Sequence, residues 1–145
     1  MKFLADVNVV FPLLVSRHQH RAAAVAWFDS TGADVVLCRL ARLGALRLLC
    51  TAQVMGPDVL PPKVALAALE VLEADERISL LHEPDGLDAA LKTLVVGCTT
   101  TPNLWTDAYL AAFTSVAGLK LVSFDRGFSK FAGLDFLPLA SDTKK

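Results

Sequence analysis

Residues 2–10 read KFLADVNVV, and this stretch decides the fold. The segment KFLAD, residues 2–6, is a short strand that is apolar on both faces. Strands covered by helices on both sides of a parallel sheet have that pattern. Asp6 and Asn8 then break the apolar run two positions apart. Residues from about 9 to 16 read as a helix, with Asn8 as its N-cap. Pro12 is expected in the first turn, where a missing N–H costs least. A buried strand feeding straight into a helix is the opening of a βα unit.

The pattern repeats outward along the chain. HRAAAVAWFDS (20–30) reads as a helix stopped by STGAD (30–34), and VVLC (35–38) as a second strand. RLARLGALRLLC (39–50) reads as a helix with Leu40, Leu43, Leu46 and Leu48 on or near one face. MGPDVLPP (55–62) is a turn-rich break. PKVALAALEVLEADE (62–76) is a strong helix, and RISLLHE (77–83) a third strand. DGLDAALKTLVVG (85–97) is a helix ended by Gly97, CTTTPN (98–103) a polar loop, and LWTDAYLAAFTSVAG (104–118) a helix closed by Gly118. LKLVSFD (119–125) is a strand, RGFSKFAG (126–133) a short helical turn and LDFLPLA (134–140) a last strand, with residues 140–145 a frayed tail. Strands alternating with helices predict one α/β domain over residues 1–145 around a mainly parallel sheet. No repeat or internal linker interrupts it.

Composition narrows the class. Of 145 residues 54% are hydrophobic and 20% charged, which excludes a disordered chain. The mean hydropathy of +0.48 is high for a small domain and suggests apolar surface covered by a second subunit or partner. Net charge is −1, so no global field attracts a polyanion; residues 1–63 carry +3 and residues 64–145 carry −4, which favours a local basic patch in the first half. Cys38, Cys50 and Cys98 are an odd set without paired spacing, which points to reduced thiols in the cytoplasm. Asp6 and Asn8 interrupt what would otherwise resemble an export signal, and no apolar run is long enough for a membrane span.

Three carboxylates stand where apolar residues are expected. Asp6 ends the first strand and Asp125 the fourth, and parallel strands bring their carboxyl ends to one sheet edge. Asp107 lies early in an apolar helix, capped by Thr106 or Asn103, that leads into the strand ending at Asp125. Singly, each is also an ordinary turn or cap residue, and Asp107 an acid favoured by the helix dipole. Together at one edge, three carboxylates repel unless protonated or bridged by a cation. Mg²⁺ or Mn²⁺ takes oxygen ligands and activates water against phosphate esters. Ser123 shares a strand face with Asp125, and its hydroxyl either orients water or bonds to backbone. Asn8 is placed to ligate or orient Asp6, or to cap the helix.

LADVNVVFPLL, LWTDAYLAAF and LVSFDRGFSKF together resemble PIN-domain ribonucleases, specifically VapC-type toxins of toxin–antitoxin pairs. The resemblance covers nearly the whole chain. It implies helices on both faces of a parallel sheet and Mg²⁺- or Mn²⁺-dependent hydrolysis of RNA. It also implies a homodimer in the cytoplasm, restrained by a cognate antitoxin. By position, Asp6, Asp107 and Asp125 match the family's catalytic, metal-binding acids, and Asn8 and Ser123 its accessory polar positions.

One position departs. The family pattern CxLTExGxLRLL appears here as CRLARLGALRLL, so Arg42 stands where a Glu is expected and Ala41 where Thr is common. No carboxylate occurs between Asp34 and Asp58. If Arg42 entered the site, metal affinity would fall; if it points away, it is free to grip phosphate. Arg17, His18, His20 and Arg21 after the first helix, and Arg39, Arg42 and Arg47 in another, are candidate contacts to RNA phosphates, or solvated surface charges. Trp27 and Trp105 read as core residues, Trp105 having the better claim to a place at the rim. Two alternatives stay open at this point. One is a degenerate PIN domain that binds RNA or antitoxin with weak or no cleavage. The other is a haloacid-dehalogenase-like phosphatase with Asp6 as nucleophile, although the second Asp of its D-x-D loop is Asn8 here. A receiver domain also gathers aspartates at a sheet edge, but it needs an acidic pair near the first strand.

Overall fold

A computed structural model describes residues 2–30, 32 and 34–141. Five strands form one all-parallel sheet: β1 (Phe3–Ala5), β2 (Val35–Leu37), β3 (Ile78–Leu80), β4 (Lys120–Ser123) and β5 (Phe136–Pro138). Their order is β3-β2-β1-β4-β5. Among the described residues seven α-helices connect them: α1 (Val7–Leu14), α2 (Arg21–Ser30), α3 (Arg39–Leu49), α4 (Ala52–Met55), α5 (Pro62–Glu73), α6 (Leu87–Val95) and α7 (Leu104–Ala117). The chain builds outward from β1 to β3, then returns through α6 and α7 to place β4 on the other side of β1. The switch point of the topology therefore lies between β1 and β4, where open α/β sheets form their ligand crevice.

Alternation along each strand splits the core in two. Leu4, Val36 and Leu121 face α6 and α7, where Leu87, Ala108, Ala111, Ala112 and the fully buried Phe113 meet them. Ala5, Val35, Leu37 and Val122 face the opposite layer, against Val9 and Val10 of α1, Trp27 and Phe28 of α2, Ala45 of α3 and Leu69 of α5. Helices thus cover both faces, as expected of apolar parallel strands. Replacing Phe113 by Ala would cost about 3–5 kcal/mol through lost burial and the cavity left behind.

Three local expectations change. The cap of α1 is Asp6, not Asn8. Asp6 has extended backbone (φ −69°, ψ 159°), and its carboxylate accepts the Val7 N–H at 2.7 Å, so the helix begins two residues earlier than expected. Pro12 consequently falls inside α1 rather than in its first turn, and its missing N–H leaves the Asn8 carbonyl without a helical donor. In α3 the buried face is Ala41, Ala45 and Leu49, at i, i+4 and i+8, whereas Leu43 is 54% exposed. The break near residue 55 holds α4 and a 3-10 turn, Gly56–Asp58. Residues 1, 31, 33 and 142–145, including most of the expected frayed tail, lie outside the described residues. Among the described residues no helix is long and apolar enough to cross a membrane.

Candidate active site

The carboxyl ends of β1 and β4 meet the start of α7 around a cleft of about 270 Å³. Asp6, Asp107 and Asp125 all line it, with Val7, Asn8, Leu40, Ala41, Gly44, Arg47, Asn103, Thr106 and Leu110. The three aspartates, up to 119 positions apart in sequence, are therefore gathered at the switch point of the sheet.

Asp6 is the anchored member. It is only 6% exposed. One carboxylate oxygen accepts the Val7 N–H and the other accepts the Ser123 hydroxyl at 2.7 Å. Burial pushes its carboxyl up to about 6, and the neighbouring Asp107 and Asp125 push the same way. The Ser123 and Val7 hydrogen bonds oppose them by favouring the charged form.

Ser123 is the hub. Its single hydrogen goes to Asp6, and its oxygen accepts from Asn8 Nδ2 at 3.0 Å and from the Asp125 N–H at 2.9 Å. Asn8 is held from its other end, because Oδ1 accepts the Phe124 N–H at 3.1 Å. One hydroxyl and one amide thus tie the end of β1 to the end of β4. The parallel register Ala5↔Val122 places the two chain segments for this contact.

Asp125 lies two residues past β4 and caps the 3-10 turn Arg126–Lys130; its Oδ1 accepts the Gly127 N–H at 2.8 Å. A Cβ on residue 127 would sit 2.9 Å from that oxygen, so a larger residue there must displace the Asp125 carboxylate. Asp107 lies in the first turn of α7, which is led by Asn103 at the cap position without a side-chain cap bond; Thr106 donates back to the Asn103 carbonyl. Burial raises the Asp107 carboxyl above its ordinary value and Asp125 adds to the rise, while Lys130, 3.9 Å from Asp107 Oδ2, pulls it down.

Among the described residues no three His, Cys, Asp or Glu side chains stand close enough together to grip an ion in their present positions. Three like charges facing one cleft hold each other apart. The donor set is nonetheless all oxygen, which suits a hard divalent cation that keeps part of its water shell. The oxygen chemistry of Asp6, Asp107 and Asp125 suits Mg²⁺ or Mn²⁺, while their present spacing does not close around an ion.

The basic residues singled out in the sequence are not gathered there. Arg17 pairs with Asp58. Arg21 donates to the Pro12 and Leu13 carbonyls, at 3.3 and 2.7 Å, and so closes the C-terminal end of α1. Arg42 turns to α5 and pairs with Glu73, Nε to Oε2 at 2.8 Å, both side chains largely buried. With Arg39 it borders a separate hollow of about 510 Å³ at the ends of β2 and β3, beside His82 and Glu83. Arg47 is the one arginine of the cleft. His20 stacks on Phe124, with ring centroids 4.2 Å apart, and contacts Ser141. Trp27 is core, but Trp105 is 62% exposed beside the first turn of α7. The three cysteines are unpaired.

A profile of the PIN domain matches residues 3–134. Ribonuclease VapC41 of Mycobacterium tuberculosis is 38% identical over 143 residues, covering 94% of this chain and 98% of that protein. This chain is a PIN domain of the VapC type. Solved structures agree on the fold. VapBC2 from Rickettsia felis, bound to a promoter DNA fragment, superposes with a TM-score of 0.72 at 10% identity, covering 97% of this chain and all of that one. VapC20 of Mycobacterium tuberculosis, described as a sarcin-ricin loop cleaving toxin, gives 0.65 at 17% identity over 91% and 95% of the two chains. FitAcB from Neisseria gonorrhoeae gives 0.66 at 21% identity over 93% and 96%. Membership in this family sets the chain apart from the dehalogenase-like phosphatases.

Proposed function

We propose that this PIN domain is a metal-dependent endoribonuclease and the toxin of a toxin–antitoxin pair. The observation that carries the reading is the convergence of Asp6, Asp107 and Asp125 on one cleft at the switch point of the sheet. These three are the residues that would hold Mg²⁺ or Mn²⁺. When bound, such an ion polarises a phosphodiester and lowers the pKa of water in its shell. The chain itself supplies position. Ser123 and Asn8 lock the Asp6 carboxylate, the α1 N-terminus stabilises its charge, and the Gly127 N–H holds Asp125. Two further readings go with the toxin role: a homodimer, and restraint by a cognate antitoxin in the cytoplasm. The VapBC2 and FitAcB relatives support the second. The apolar side chains left exposed on α5, Val64, Leu66 and Val71, support a covered surface.

Incubation of the purified chain with cellular RNA, followed by sequencing of RNA ends, tests the reading. Cleavage should require Mg²⁺ or Mn²⁺, stop with chelator, and be lost in Asp107→Asn. Cleavage that persists in chelator, or is unchanged in Asp107→Asn, refutes it. A second reading has its own observation: α3 brings no carboxylate to the cleft, since position 42 is an arginine bound to Glu73. Metal-dependent RNA binding without new RNA ends would favour that non-cleaving domain.

A further inference from the structure

The carboxylates account for one side of the cleft and leave a charged group on the other without a task. Leu40, Ala41, Gly44 and Arg47 follow one another at helical spacing, and α3 presents them all to the cleft. Ala41 and Gly44 keep that wall low. A Cβ at position 44 would lie 3.0 Å from Val7 Cγ2, so a larger residue there must push the Val7 side chain aside. The wall is therefore nearly bare up to Arg47, whose side chain is exposed.

Arg47 shares the cleft with three carboxylates and pairs with none of them. Among the described residues its guanidinium makes no ion pair, whereas Arg42, five positions earlier, is committed to Glu73. A cation and three anions line one small cleft and leave a gap between them. A phosphodiester group suits that arrangement of charges. Its unesterified oxygens suit the planar fork of a guanidinium, and its backbone can then run along the low wall of α3.

The geometry points to Arg47 as the substrate-positioning residue of the cleft, holding an RNA backbone phosphate beside the carboxylates. This inference rests on the ribonuclease reading above and deepens it: α3 brings no acid to the cleft from position 42, and contributes a phosphate clamp from position 47.

The test measures binding of a short fluorescein-labelled single-stranded RNA of mixed sequence, by anisotropy, with Mg²⁺ present. Every protein compared carries Asp107→Asn to prevent cleavage. Arg47→Ala should weaken binding roughly 10- to 100-fold, the effect of one charge-assisted contact. The slope of log affinity against log salt should fall by about 0.7, as for one phosphate contact on a single strand. Arg47→Lys should restore the slope but not the full affinity, since it keeps the charge and loses the fork. The melting temperature should stay unchanged, because the side chain is exposed. Binding by Arg47→Ala equal to its parent, with the same salt slope, overturns the assignment; so does failure of Lys to restore the slope. In a separate cleavage assay with Asp107 intact, metal-dependent cleavage with the same KM in Arg47→Ala as in the unsubstituted protein overturns the Arg47 role and leaves the ribonuclease standing. A parent protein that binds no RNA overturns both.

Discussion

Asp6→Asn offers a measurement that separates the electrostatics of the cleft from its hydrogen bonds. In the metal-free protein the Asp6 carboxyl titrates at about 6 instead of its ordinary 3.8, chiefly because it is buried. The folded state thus holds this proton more tightly than the unfolded state. The stabilisation it gives is complete below pH 4 and is lost as pH rises through 6. A difference of about two pKa units corresponds to about 3 kcal/mol. Asn at position 6 has no such titration. Its fixed cost, the loss of the Ser123 donation, does not vary with pH, and the serine hydrogen can turn to Asn8 Oδ1, 3.2 Å away. The stability of Asp6→Asn relative to wild type should therefore grow by about 3 kcal/mol between pH 4 and pH 7. In melting temperature this is roughly 6–12 °C for a domain of this size. Denaturant unfolding of both proteins in chelator across that range is the assay. Parallel stability curves would refute the account of Asp6 as a buried, destabilising acid. Mg²⁺ at neutral pH should then stabilise wild type more than Asp6→Asn, by about 2.7 kcal/mol when its concentration is a hundred times its Kd.

Ser123→Ala removes the hydroxyl that favours ionised Asp6, so the titration midpoint of Asp6 should move above 6 and stability fall by about 1–3 kcal/mol; a pH-stability series on the variant checks both. Arg42→Glu should not tighten Mn²⁺ binding in calorimetry, because position 42 faces Glu73 on α5; it should instead destabilise the fold by about 2–4 kcal/mol by setting two acids against each other in a largely buried place. Gly127→Ala must displace Asp125 Oδ1 from 2.9 Å and should reduce metal-dependent cleavage with little change in melting temperature, read by RNA cleavage and thermal unfolding side by side.

The aspartates were legible in the sequence because each violates its surroundings: a carboxylate at the end of an apolar strand, or in the first turn of an apolar helix, has few reasons to be there. The sheet was legible for the complementary reason, since short runs such as VVL admit burial on both faces. What the sequence left open was direction. Asp6 and Asn8 are both good caps; the structure gives the Val7 N–H to Asp6, while Asn8 spends its amide on Ser123 and the Phe124 N–H. Arg42 and Arg47 sit on one helix, yet five residues is about 1.4 turns, an offset of roughly 140°, and the packing of Ala41, Ala45 and Leu49 sends one to α5 and the other to the cleft. Arg21 was readable as a phosphate contact because its real partners are backbone carbonyls, which carry no mark in a sequence. Leu43 was expected with Leu40, Leu46 and Leu48 on or near one face, whereas the buried face of α3 is Ala41, Ala45 and Leu49 and Leu43 is exposed.

The pairing of Phe3 with Lys120 makes the cleft depend on a long-range contact. Its carboxylates come from segments more than a hundred positions apart. Closing so long a loop is slow compared with forming local helices. Asp6 therefore stays without its fellows until β4 docks beside β1, and the hydroxyl that aligns it arrives with that strand. Helices can form early on either side of the sheet, but the cleft is assembled only when these distant segments meet.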